Sequence, residues 1–212
     1  AGCGKSSPAL LDSFGTHLDT LMTSKDKLSK MDGAAADLCV IENEDEFSEN
    51  DIEAPAGALF NITDQKTLYS KNANDEREIA SITKIMTALL AMKYADLSQE
   101  VTISYTPEGL ESSAVLCGFE QGDKMMLSSL LSAALIYSGN DAAIDIAIAV
   151  AGSQEAFVDM MNQESKELMT SHTHFANPTG LTQSKHYSSV YDVYLMFQEC
   201  LKYPTFRDII AR

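Results

Sequence analysis

From residue 80 onward, apolar positions fall mostly at helical spacing. Ile82, Ile85, Met86, Leu89, Leu90 and Met92 point around most of one helix, about residues 82–95. That is the pattern of a helix buried on all sides. Leu127, Leu130, Leu131, Ala134 and Leu135 predict a helix over about 125–137, and Ala143, Ile144, Ile146, Ala147 and Val150 another over about 141–151. Two more follow at about 154–169 and 189–202. Before them, Ala58, Phe60 and Ile62 alternate, Asp64-Gln65 makes a turn, and Thr67-Leu68-Tyr69 returns, which predicts a hairpin over 56–70. Val101-Thr102-Ile103 reads as a short strand, and Thr106 to Asp123 as a loop near the site. Leu11, Phe14, Leu18, Leu21 and Met22 form an amphipathic stripe near the start. No stretch reaches the roughly 18 uninterrupted apolar residues of a membrane-spanning helix.

Polar residues interrupt this pattern at two places that could support chemistry. Ser81 opens the first helix and Lys84 follows three residues later, on the same face. A serine hydroxyl needs a neighbouring base to become a nucleophile. A lysine is that base only when burial disfavours its ammonium form, and the apolar surround of this helix supplies the burial. Spacing alone is weak: with 22 Ser and 12 Lys, chance gives roughly one Ser-x-x-Lys in such a chain. A second copy, Ser24 to Lys27, lies in a polar stretch where its lysine should stay solvated. The other interruption, Ser138-Gly139-Asn140-Asp141, splits two apolar helices. Its plain reading is a helix end at Gly139 with Asn140 or Asp141 capping the next helix. Its functional reading adds a hydroxyl to relay a proton and an amide to hold a substrate carbonyl.

With these two motifs the chain resembles the serine D-alanyl-D-alanine carboxypeptidases, the low-molecular-weight penicillin-binding proteins, from about Ala54 to Arg212. Further segments similar to that family are Leu68 to Asn72, Phe157 to Asn162, Thr173 to Leu181 and His186 to Ser189. The resemblance implies an α/β fold of the penicillin-binding transpeptidase and β-lactamase type, here mainly its helical part with the N-terminal hairpin. It implies Ser81 as nucleophile, Lys84 as its base, Ser138 as proton relay and Asn140 as a substrate-binding amide. The implied substrate is a peptidoglycan stem peptide ending in D-Ala-D-Ala, cleaved through an acyl-enzyme on Ser81 that β-lactam antibiotics would also form. No cofactor or metal is called for. The family's third motif, Lys-Thr-Gly, is absent: Lys66-Thr67 runs into Leu68, and Thr179-Gly180 follows Pro178. It is expected on strands beyond Arg212, and without those strands acylation by these residues should be poor.

The net charge of −16 argues against nucleic acid as partner. About half of it lies in residues 1–53, with 4 Lys against 12 acidic residues, and the run from Glu42 to Asp51 reads as a solvated linker. The start, Ala1-Gly2-Cys3-Gly4, resembles the end of a bacterial lipoprotein signal, which implies lipidation at Cys3 and attachment to the outer face of the cytoplasmic membrane. Residues 1–53 would then be a tether and 54–212 the catalytic domain. Cys39, Cys117 and Cys200 have no paired spacing. Cys117 and Cys200 are expected as small buried apolar groups. His172, His174 and His186 make a weak zinc pattern. A class A β-lactamase would want Ser-Asp-Asn where this chain has Ser138-Gly139-Asn140. The stronger rival is a homologue that binds cell wall without catalysis, since the third motif is missing.

Overall fold

A computed structural model describes residues 38–41, 52–104, 110 and 114–212. The N-terminal stripe, Cys3, Ser24 to Lys27 and the acidic run 42–51 lie outside the described residues. The described residues fall into two units, one holding residues 38–41 and 59–68, the other 52–58 and the described residues from 69 to 212. Strands β1 (Gly57–Asn61) and β2 (Lys66–Lys71) form the expected hairpin. Its turn is built by Asn61, whose Oδ1 accepts from the backbone N–H of Thr63 at 3.1 Å and of Asp64 at 3.0 Å. In the first unit Val40 also bridges to Lys66, and Thr67 Oγ1 donates to its carbonyl at 2.8 Å.

The larger unit is mainly helical. Helix α1 (Lys84–Tyr94) has Met86, Ala88, Leu89, Leu90 and Ala91 all essentially inaccessible. It packs against α2 (Leu127–Ile136), α3 (Asn140–Ala151), α4 (Gln154–Glu167) and α5 (Val190–Leu201), so it is the axis of the core. The helix boundaries follow local chemistry. Gly152 ends α3 in the left-handed conformation, Ser153 Oγ caps α4 through Ala156 N–H at 3.1 Å, and Ser189 Oγ caps α5 through Asp192 N–H at 3.1 Å. No helix among the described residues is long and apolar enough to cross a membrane.

Three details depart from the sequence pattern. A short strand β4 (Lys124–Met126) precedes α2 and pairs antiparallel with β3 (Glu100–Thr102), where the pattern had begun the helix at about 125. A further helix, the sixth among the described residues, α6 (Pro204–Ile210), is too short for periodicity to find, and its sequence signal is proline in the first turn. Ile82, expected in the core, is 48% exposed, because it sits on the 3-10 turn ahead of α1 rather than on the buried helix.

Candidate active site

Ser81 lies in the 3-10 turn Ala80–Thr83, entered through Ala80 at φ +46°. A residue with a Cβ is strained there, and such strain persists only where the surroundings impose it. Gly180, at φ +87°, presses on this turn so closely that an added Cβ would collide with the Ala80 carbonyl and come within 2.9 Å of Ser81 N. The Gly180 loop is shaped by Asn177, whose Oδ1 accepts from Thr179 N–H at 3.1 Å, Thr179 Oγ1 at 2.9 Å and Gly180 N–H at 2.7 Å. The loop is fastened to α1 again where Thr87 Oγ1 donates to Pro178 O at 2.7 Å.

Lys84, the next residue after the turn, is 2% exposed. Its ammonium donates to Ser81 Oγ at 3.1 Å, Asn140 Oδ1 at 2.9 Å and Thr179 O at 2.8 Å. All three N–H bonds are thus used, and none of the partners is a carboxylate. Burial pulls the Lys84 pKa down from 10.5 to about 8, against a smaller upward pull from Cys117. Roughly a tenth of the lysine is then free base at pH 7, enough to take a proton from Ser81. The pH dependence follows directly. Acylation of Ser81 should rise about tenfold per pH unit up to about pH 8 and level above it. A rate flat from pH 6 to 9 under single-turnover labelling would contradict Lys84 as the base.

Asn140 occupies the first turn of α3, with its backbone N–H bonded to Val115 O at 2.8 Å. Lysine accepts nothing, so the Asn140 oxygen faces Lys84, and its Nδ2 makes no hydrogen bond to a described residue. That amide is available to a substrate carbonyl. Neither Asn140 nor Asp141 caps the helix in the way the plain reading expects. Gly139 is the N-cap, and the buried Asp141 carboxylate instead accepts from Cys117 N–H at 2.8 Å, Gly118 N–H at 3.0 Å and Ala142 N–H at 2.9 Å. This clamps residues 115–118 over the turn. Gly139 leaves no space for a Cβ, which would overlap Cys117 Sγ.

Ser138 is half-buried at φ +59° and makes no hydrogen bond to a described residue. Lys84 is therefore bonded to Ser81 and Asn140 but not to Ser138. Cys117 is only partly buried, contrary to expectation, and its thiol sits in the fields of both Asp141 and Lys84. Burial and Asp141 raise its pKa, while Lys84 lowers it. Cys200 is fully buried as expected, and burial raises its pKa. The histidines are used separately. His174 Nδ1 bonds Lys185 O at 2.6 Å, the backbone N–H of His172 donates to Asp192 at 2.8 Å, and His186 faces Thr83.

The sequence profile of the D-alanyl-D-alanine carboxypeptidases (peptidase S11) matches residues 43–210. The chain belongs to this family. The D-alanyl-D-alanine carboxypeptidase DacF of Bacillus subtilis is 41% identical over 156 residues, which is 71% of this chain and 40% of that protein. Among solved structures, a variant of a Streptomyces DD-transpeptidase superposes with TM-score 0.70 at 28% identity, over 74% of this chain and 65% of that one. The D-alanyl-D-alanine carboxypeptidase of Mycobacterium tuberculosis gives 0.69 at 26% identity, over 75% and 60%. The fold is therefore that of the penicillin-binding DD-peptidases, represented here by their helical part. The chain spans about 40% of the length of the carboxypeptidase DacF.

Within this site, the sequence pattern gives no role to Thr179 or Asn177, only a capping role to Asp141 and only a weak metal pattern to His186. Thr179 reaches Lys84 through a backbone carbonyl, which no residue type announces. Asn177-Pro178-Thr179-Gly180 did carry a readable signal, an asparagine positioned to bond the backbone two and three residues on.

Proposed function

We propose that this chain supplies the nucleophile and base of a serine-type D-Ala-D-Ala carboxypeptidase. The observation that carries this reading is the 3.1 Å hydrogen bond between Ser81 Oγ and a buried lysine lacking any carboxylate partner. Ser81 Oγ attacks the carbonyl carbon of the penultimate D-alanine as its proton passes to the free amine of Lys84. The tetrahedral intermediate collapses, the C–N bond breaks, and the proton held by Lys84 passes by way of Ser138 to the leaving amine of the terminal D-alanine, which restores the free lysine. Asn140 Nδ2 donates to a backbone carbonyl of the stem peptide. Water then cleaves the ester on Ser81 and releases the shortened peptide. A β-lactam presents a strained amide to the same serine and stops at the acyl-enzyme.

In this reading the strand bearing Lys-Thr-Gly completes the site, residues 1–53 are a tether lipidated at Cys3, and the enzyme works on the cell wall outside the cytoplasm. A binding-only homologue would have no use for a buried lysine against a serine. Intact mass after benzylpenicillin tests the proposal, on wild type and Ser81→Ala, with and without a C-terminal extension carrying Lys-Thr-Gly. The expected result is an adduct on the extended wild type, little on the 212 residues alone, and none on either Ser81→Ala form. An extended wild type that stays unmodified would reject it.

A further inference from the structure

His186 was available for a metal on sequence grounds and is used otherwise. It is 4% exposed, and the edge contact of its ring with Phe175 has centroids 5.9 Å apart. Its Nδ1 accepts from the backbone N–H of Ala176 at 3.0 Å. An N–H fills that side of the ring, so the imidazole hydrogen must sit on Nε2. Nε2 is 2.7 Å from Thr83 Oγ1 and donates to it. Thr83 is itself 1% exposed and lies between the two reactive residues, two after Ser81 and one before Lys84.

The backbone that follows the ring is braced as well. His174 and Tyr187 exchange backbone hydrogen bonds at 2.9 and 3.0 Å, and Arg77 and Ser188 do the same at 2.8 and 3.0 Å. His186 therefore projects from a braced segment onto the reactive turn. With Gly180 at Ala80, Thr179 at Lys84 and Pro178 at Thr87, it makes the fourth point at which residues 176–188 grip the start of α1.

We propose that His186 is a positioning residue for the nucleophile–base pair: its neutral ring, with the hydrogen on Nε2, pins Thr83 and so sets the turn that holds Ser81 against Lys84. Burial, and to a lesser degree His174, depress its pKa, in keeping with a ring that stays neutral. A second ring proton would point at the Ala176 N–H and break that bond. Loosening Thr83 would open the first turn of α1 to water, and Lys84 would recover the basicity of a solvated lysine.

This inference rests on reading Ser81 and Lys84 as nucleophile and base, and its test needs no turnover. Ring-nitrogen NMR of the 212-residue chain at neutral pH should show a single neutral His186 protonated on Nε2. A hydrogen on Nδ1, or an imidazolium, would overturn the proposal. The side-chain carbon signal of Lys84 should titrate near pH 8 in wild type. His186→Phe keeps the ring shape without the hydrogen bonds, and should move that midpoint up by about one pH unit or more. His186→Gln can accept from Ala176 and donate to Thr83, and should leave the midpoint in place. An unchanged midpoint in His186→Phe, or an equal rise in both variants, would count against it. Should His186→Phe fail to fold, the ring tautomer and His186→Gln decide. A wild-type midpoint already at the ordinary lysine value would instead reject the nucleophile–base reading.

Discussion

Lys84→Arg should reduce acylation of Ser81 by about a thousandfold or more, the scale of losing a general base. This variant separates two roles that other changes confuse. Arginine keeps the positive charge and several donors, so it can still bond Asn140 Oδ1 and Thr179 O. It cannot give up its proton at any working pH. If Lys84 served only as a charged strut between α1, α3 and the Thr179 loop, Lys84→Arg would hold the site together and keep substantial labelling. Lys84→Met gives the complementary case, matching length and apolar stem without donor or base. Both should be inactive across pH 6 to 9 in the chain extended through the third motif, read as the rate of penicillin adduct formation. Retention of more than about a tenth of the wild-type rate by Lys84→Arg would remove the proton-accepting role.

Gly180→Ala should be the most damaging single-methyl addition in the described chain, costing about 3 kcal/mol or more of stability. Two penalties combine. The φ of +87° is left-handed and already costs an L-residue about 1 to 2 kcal/mol. The new Cβ also meets the Ala80 carbonyl and the Ser81 amide, backbone groups that cannot rotate aside. The displacement falls on the entry to the reactive turn, so penicillin labelling should be lost even where the variant stays folded at low temperature. Gly139→Ala is the control. Its backbone sits at φ −60°, and the nearest obstacle is the Cys117 thiol, a movable side chain. It should cost less, and adding Cys117→Ala should recover part of the loss. Denaturant midpoints of the three variants check the order; equal losses for Gly180→Ala and Gly139→Ala would mean that the left-handed backbone is not the source of the effect.

What could be read from sequence were relations local along the chain. Ser81 and Lys84 are three residues apart, so helical geometry brings them together and the apolar residues around them supply the burial. Asn140 was found because it breaks an apolar run, although its partner across 56 residues was not. The rest depends on backbone atoms and on residues that look ordinary in isolation. A proline carbonyl, a threonine carbonyl and a glycine's missing side chain carry no distinctive pattern. His186 is conspicuous by type and lies in a family-like segment, but its type offers only a weak metal pattern and does not announce a hydrogen bond to Thr83. Ile82 was misplaced because the helical period continues through a 3-10 turn that has not yet entered the core. Strand β4 was hidden because its two methionines suit either a strand or the start of the helix that follows.

The grip of residues 176–188 on the start of α1 has a consequence for when reactivity appears during synthesis. Ser81 and Lys84 leave the ribosome almost together, yet Lys84 finds its carbonyl partner 95 residues later and Thr83 its histidine 103 residues later. Until then Lys84 is exposed to water, charged at neutral pH, and no base for the serine. Contacts of such long sequence separation cannot form before the later segment has been made, and closing so long a loop costs entropy. A nascent chain lacking the Asn177 loop would thus hold both reactive side chains and remain chemically inert toward amides. On the proposed reading, only the arrival of that loop would turn an ordinary serine into a nucleophile, which would tie the onset of chemistry to near-complete folding of this unit.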